Sequence, residues 1–159
     1  MEKECIFCKI IKKEIPAAKI FENDKFIAFL DVNPVNFGHA LIAPKEHTET
    51  IISAKSAILR EILPLAKKIA EVLMEKQKAQ GFNICINNYK AAGQLVPHLH
   101  LHIIPRFDAD SVTIDKQKSK KYLPGEMERL SSELRKMLMQ KNSKEFLACR
   151  KSGGFSSKK

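Results

Sequence analysis

The chain has 159 residues, 44% hydrophobic and 29% charged, without Trp, enough for one domain whose core needs no disulfide staples. Its formal net charge is +10, and no apolar run approaches the ~20 residues of a bilayer-crossing helix. The N-terminal MEKECIFCKIIKKEI starts acidic and has only a short apolar patch, unlike a secretory signal, so a soluble cytoplasmic protein is expected.

Residues 5–13 read as a short amphipathic helix. AKIFEN (18–23) and KFIAFLDV (25–32) read as two strands joined at Asn23-Asp24, a strong hairpin signal. NPVNFG is a loop, and HALIAP (39–44) a third strand ended by Pro44. From Ser56 to Gln80, Ile58, Ile62, Leu65, Ile69 and Leu73 recur at helical steps. Pro64 predicts a kink or a delayed start, and Gly81 the stop. FNICIN (82–87) is a fourth strand; NYKAAGQ is a loop before a fifth, HLHLHII, ended by Pro105. FDADSVTIDKQKSKKYLPG is an excursion without periodicity, and a second helix runs from Glu126 to about Gln140. Strands joined by hairpins, without regular βα alternation, predict an α+β fold: an antiparallel sheet of about five strands with a long helix and a C-terminal helix. Residues 1–141 then form one domain. Residues 142–159 read as a basic, disordered tail, with Lys144, Arg150, Lys151, Lys158 and Lys159 against Glu145. That tail is a solvated surface or an electrostatic funnel for polyphosphate or RNA.

The five histidines fall in two stretches, His39 and His47 in GHALIAPKEH, and His98, His100 and His102 in PHLHLH. Two-residue spacing on a strand puts the last three imidazoles on one face. Three buried rings there would each need hydrogen-bond partners, which favours a function for them. Four cysteines in an intracellular chain suggest free thiols or metal ligands. Cys85 reads as core and Cys149 as a free thiol. Cys5-x-x-Cys8 with two histidines would complete a Cys2His2 zinc set, although the spacing is not that of a zinc finger. A thioredoxin-like redox pair is the alternative, without its βαβ context. A histidine whose tautomer is fixed by a neighbour can also attack phosphorus, beside loop amides such as those of AAGQLV that hold phosphate oxygens.

His98-Leu99-His100-Leu101-His102-Ile103-Ile104 resembles the signature of the histidine triad nucleotide hydrolases and transferases. CIFCKIIKKEIPAAKIFEND, FIAFLDVNPVNFGHALIAPKEH and INNYKAAGQLVPHLHLHIIPR are similar to that family's blocks, in its order, over residues 5–107. The resemblance implies that His100 is the nucleophile, forming a nucleotidyl-imidazole intermediate. His98's carbonyl would orient it, and His102 and His39 would support the α-phosphate. Asn87, Gly93, Gln94 and Val96 would contact phosphate, Asp31 would accept the ribose hydroxyls, and Ile6, Phe7, Ile10, Phe29 and Val32 would form a base slot. It further implies a structural zinc ion on Cys5, Cys8, His47 and His98, and a homodimer. Two departures stand out: Tyr89, where relatives often carry Gly, and Leu95, where many carry Ser or Thr near the leaving group. The expected activity is cleavage at the α-phosphorus with release of a nucleoside monophosphate. Dinucleoside polyphosphates lead, because Arg106 and the lysines could meet a long polyphosphate, and phosphoramidates follow. The rival from another class is a nucleotide- or RNA-binding regulator with vestigial hydrolysis, RNA being the less favoured partner.

Overall fold

The computed structural model of the protein describes residues 4–108, 110 and 120–152, with 142–152 as backbone alone. In chain order come α1 (Ile6–Ile11), β1 (Lys19–Glu22), β2 (Phe26–Leu30), β3 (Ala40–Pro44), α2 (Ser56–Gln77), β4 (Gly81–Cys85), β5 (Leu101–Arg106) and α3 (Glu126–Ser152). The five strands form one antiparallel sheet in the order β1-β2-β3-β5-β4, the α+β architecture expected. At the β1–β2 turn the Asn23 Oδ1 accepts the backbone N–H groups of Lys25 and Phe26, 2.9 and 2.7 Å away. That is the local bonding that makes Asn a turn residue.

Both faces of the sheet are covered, so β2 and β3 are buried throughout. Phe26, Ala28, Leu30, Ala40, Ile42, Leu101 and Ile103 face α2 and α3 in the main core. The alternate residues Ile27, Phe29, Leu41 and Ala43 face α1, packing with Cys5, Phe7 and Cys8. His102 pairs with Leu41, and directly opposed residues share a face. His102 therefore lies on the α1 side, and that side carries the chemistry.

The boundaries differ from expectation in four places, each for a local reason. α2 runs unbroken through Pro64, which is exposed; the hydrogen bond it forfeits lies where water can replace it. Lys78, in the left-handed region (φ 53), ends α2, its N–H bonding the Met74 carbonyl. Gly81 instead opens β4. β5 begins only at Leu101 and continues through Pro105 to Arg106. Pro105's carbonyl takes the Asn36 side-chain amide at 2.9 Å, beyond the last β3 pair at Ile103. N–H and C=O of one strand residue point the same way, so the missing N–H falls past β3's end and costs no ladder bond. Finally, α3 continues to Ser152, past Gln140, because no Gly or Pro interrupts it before Gly153. The Cys149 side chain, most of the lysine-rich excursion and the final residues 153–159 lie outside the described residues.

Candidate active site and metal centre

A cleft of about 450 Å³ opens on the α1 face, between α1, the end of β2, the loop after it and the first turn of α3. Its apolar wall is Phe7 set edge-on against Phe29, ring centroids 5.3 Å apart. Ile10 adjoins it, and Ile6 (45% exposed) and Val32 (66%) form its rim. All five expected slot residues thus line the cleft, with open edges at two of them. Asp31, Asn87, Gly93, Val96, His39, His100 and His102 line it as well. Phe7 also abuts the His100 ring at 5.1 Å, so the slot ends on the middle histidine.

The partners of the three cleft histidines fix their tautomers. His100 Nδ1 lies 2.7 Å from the His98 carbonyl, so it carries the proton and leaves Nε2 with a bare lone pair. The Val35 N–H donates to His39 Nδ1 at 3.3 Å, so His39 carries its proton on Nε2 and donates to His102 Nδ1 at 2.9 Å. His102 then holds its proton on Nε2, which is buried without a hydrogen-bond partner. A buried N–H that lacks a partner is costly unless a ligand supplies one. Burial is the largest cause holding all three rings below the ordinary histidine pKa, His102 down to about 3. Asp31 pulls His39 and His100 the other way without reversing the shift.

Gln94 does not line the cleft. Its Oε1 accepts the Tyr89 N–H at 2.6 Å, and its Nε2 donates to the Glu49 carbonyl at 2.7 Å. Its amide is spent on holding the loop, not on meeting a ligand. Tyr89 takes φ 67 and ψ 161, backbone that Gly adopts freely and other residues hold at a cost of about 1–3 kcal/mol. Its carbonyl accepts the Ala92 and Gln94 N–H groups, which clamps the strained residue. Leu95 is at the mouth and 92% exposed. Arg106 is also turned elsewhere: Nε and Nη2 reach the two Asp110 oxygens at 2.7 and 2.8 Å, and Nη1 reaches Asn83. Reading the residues did not single out Pro16, Ala17, Ala18 and Met127 as cleft lining. Two alanines after a proline are a weak sign of close approach, and Met127 carried only its helical period.

Cys5, Cys8, His47 and His98 converge under α1, their donor atoms all within 4.8 Å of one another. His47 Nδ1 is 3.2 Å from His98 Nδ1. Cys8 Sγ is 3.3 Å from His47 Nδ1 and 3.6 Å from His98 Nδ1, and Cys5 Sγ is 3.4 Å from His98 Nδ1. A tetrahedral zinc set has edges of about 3.3 Å between nitrogens and about 3.6 Å between nitrogen and sulfur. His98 Nε2 meets the Pro44 carbonyl at 2.9 Å, which puts the proton there and frees Nδ1 for a metal, as an outer-shell carbonyl does. The donor set fits a four-coordinate ion with no position left open.

Together these features define an α+β protein with a histidine-lined cleft beside a closed Cys2His2 cluster. The family model described as "HIT domain" matches residues 12–109. A HIT-like protein of Methanocaldococcus jannaschii is 46% identical over 110 residues, 69% of this chain and 84% of its own length. The adenosine 5'-monophosphoramidase of Saccharomyces cerevisiae is 41% identical over 111 residues, 70% of this chain and 68% of its own. The crystal structure of a Zn-bound histidine triad family protein from Mycobacterium smegmatis superposes with a TM-score of 0.79 at 33% identity, covering 90% of this chain and 99% of that one. The chain belongs to the histidine triad (HIT) family, a family of nucleotide hydrolases.

Proposed function

We propose that the protein hydrolyses nucleoside 5'-phosphoramidates at the α-phosphorus through a nucleotidyl-His100 intermediate. The observation that carries this is the His100 tautomer: Nδ1–H committed to the His98 carbonyl and Nε2 bare in a cleft of nucleotide size. The base enters between Phe7, Phe29 and the rim, the ribose hydroxyls meet Asp31, and Asn87 with the Gly93–Val96 backbone flanks the phosphate. Nε2 attacks phosphorus; the P–Nε2 bond forms as the P–N bond to the amine breaks, and the amine takes up a proton from solvent. Water then cleaves P–Nε2, releasing the nucleoside monophosphate, restoring neutral His100 and returning that proton. His102 Nε2–H, lacking a protein partner, donates to a phosphate oxygen as charge builds there.

Polyphosphate substrates rank second. Among the described residues that line the cleft none is Lys or Arg, and Arg106 is already paired with Asp110. Additional phosphates would find no cation among these described lining residues. The yeast relative's name, a monophosphoramidase, points the same way. A direct comparison of adenosine 5'-phosphoramidate with diadenosine polyphosphates tests this. The expected kcat/KM is at least about tenfold higher for the amidate. Parity or reversal overturns the leaving-group assignment, and no turnover of either overturns hydrolysis.

The cluster's ion is zinc in this reading, supported by the donor geometry and by the Zn-bound relative. It holds α1 and the His98 backbone in place and adds no water chemistry. Cys5 and Cys8 form no disulfide, which suits the reducing cytoplasm. We also propose a homodimer joined along β4, the open edge of the sheet, where Phe82 (44%) and Ile84 (39%) are exposed. Ile84→Lys should convert a dimer to a monomer in sedimentation velocity. A wild-type monomer, or an undisturbed dimer, refutes that edge.

A further inference from the structure

The match to the family ends at residue 109, yet the chain beyond it returns to the loop that carries His39. That loop, from Asp31 to His39, closes on itself: the Asp31 N–H bonds the His39 carbonyl at 2.9 Å, and the His39 N–H bonds the Asn36 carbonyl at 3.0 Å. Later segments pin its middle. Lys120 donates its N–H to the Pro34 carbonyl at 2.6 Å. The Tyr122 phenol oxygen accepts the Gly38 N–H at 3.0 Å, with its ring on Phe37, centroids 5.1 Å apart. The Lys120 ammonium lies 5.6 Å from the centre of the same Phe37 ring. Gly38 has φ +87, and a Cβ there would sit 3.1 Å from the Leu73 side chain and 3.2 Å from that of Gln77. A side chain there would strain the backbone and crowd both neighbours, and Gly's freedom makes the orientation of that peptide depend on an external partner. The phenol is that partner.

We propose that Tyr122 is a positioning residue for nucleotide recognition: by holding the Gly38 amide it sets His39 against His102 and Asp31 at the mouth of the cleft. Gly38 lies one peptide before His39, whose carbonyl anchors Asp31 and whose ring anchors His102. The Asp31 carboxylate lies 3.6 Å from the His39 ring. A swing of the Gly38 peptide therefore disturbs the ribose carboxylate and the phosphate-facing histidine together. Burial, more than the nearby Asp31 and Glu126 carboxylates, pushes the phenol up to about 12, so it stays a neutral hydroxyl at working pH. The inference rests on the proposed reading of Asp31 as the ribose carboxylate.

Tyr122→Phe keeps the ring and removes only the acceptor. In the full-length protein, AMP and 2'-deoxy-AMP binding is measured by calorimetry, alongside kcat and KM for the matching phosphoramidates and the side-chain ¹⁵N resonances of His39 and His102. The variant should lose about three- to tenfold of the preference for ribose over deoxyribose, the scale of one hydrogen bond. The His39 and His102 resonances should shift, while metal content stays that of the wild type. Tyr122→Ala should lose at least as much. A Tyr122→Phe protein with wild-type preference and wild-type resonances overturns the proposal, including where only Tyr122→Ala is impaired, since that marks ring packing alone. If the wild type binds AMP in preference to deoxy-AMP yet cleaves no amidate, the hydrolytic reading fails and the binding arm still decides this one. If the wild type shows no ribose preference, the Asp31 role fails and the two histidine resonances decide.

Discussion

His100→Asn should lower kcat/KM for a nucleoside phosphoramidate by at least about 10⁴-fold while leaving nucleoside monophosphate binding within a few-fold of the wild type. Asn is the informative replacement. Its Nδ2–H can still donate to the His98 carbonyl that takes the His100 Nδ1–H at 2.7 Å, so the backbone persists, while the ring that Phe7 meets edge-on is lost. With it goes the lone pair on Nε2. Acid quenching during turnover should trap a nucleotidyl label on the wild type and none on the variant. Retained turnover in the variant would sink the covalent mechanism. The pH profile supplies a second check. The attacking form of His100 is the neutral one, and burial lowers its pKa below the ordinary histidine value. A lowered pKa keeps the nucleophile unprotonated to more acid pH, so kcat/KM should stay flat from about pH 8 to below ~6.5, where an ordinary histidine titrates. An acid limb centred at or above that value contradicts the buried, neutral ring.

How far the sequence carries depends on which features are local. The alternation in FIAFL and HALIAP needed only the strand period, and each alternate residue lies on the sheet face that period assigns. The same period placed three histidines on one face of a strand. In the folded chain only His102 belongs to the ladder, because β5 begins at Leu101. His98 lies in a bend, its N–H on the Val96 carbonyl at 2.8 Å, and His100 lies outside any pairing; between them the Leu99 N–H bonds the Thr48 carbonyl. The face survives and the ladder does not, since pairing depends on where β3 ends, and no property of HLHLH contains that. The C-x-x-C spacing made the cysteines legible as candidate ligands, but which two histidines complete the set was legible only through the family's pattern. Gln94 shows the opposite limit: an amide beside a phosphate loop reads as a ligand contact, but its neighbours in space, Tyr89 and Glu49, absorb it. Arg106 reads as a polyphosphate contact for the same reason, and Asp110, four residues on, claims it. Both corrections concern side chains whose competing partner lies within the protein, which residue type alone does not reveal.

Purified protein should carry about one zinc per chain, and Cys8→Ser should lose the metal and about 10 °C or more of thermal stability. Cys8 Sγ sits within 3.6 Å of both histidine donors, so removing its thiolate takes away one of the four corners of the tetrahedron. The other face of the sheet has the large core under α2 and α3, and that core keeps the variant folded. The α1 face has only a small cluster, in which Cys5 and Cys8 are themselves the packing residues. Structural zinc contributes roughly 10–16 kcal/mol of apparent binding energy in isolated fingers. Even a quarter of that, about 2.5–4 kcal/mol, corresponds to about 10 °C in a domain of this size, where 1 kcal/mol shifts Tm by roughly 2–4 °C. Activity should fall further than stability alone dictates. The His98 imidazole belongs to the metal cluster while its carbonyl orients His100, so loosening the cluster loosens the tautomer lock. The expected signature is a lower kcat for the folded, metal-depleted protein, with monophosphate binding less affected and recovery on adding Zn²⁺ after mild chelation. Metal-free protein with wild-type Tm and kcat would show that the four donors hold one another without an ion. Two thiols and two imidazole nitrogens crowded to 3.2–3.6 Å with so little core around them argue for the opposite outcome.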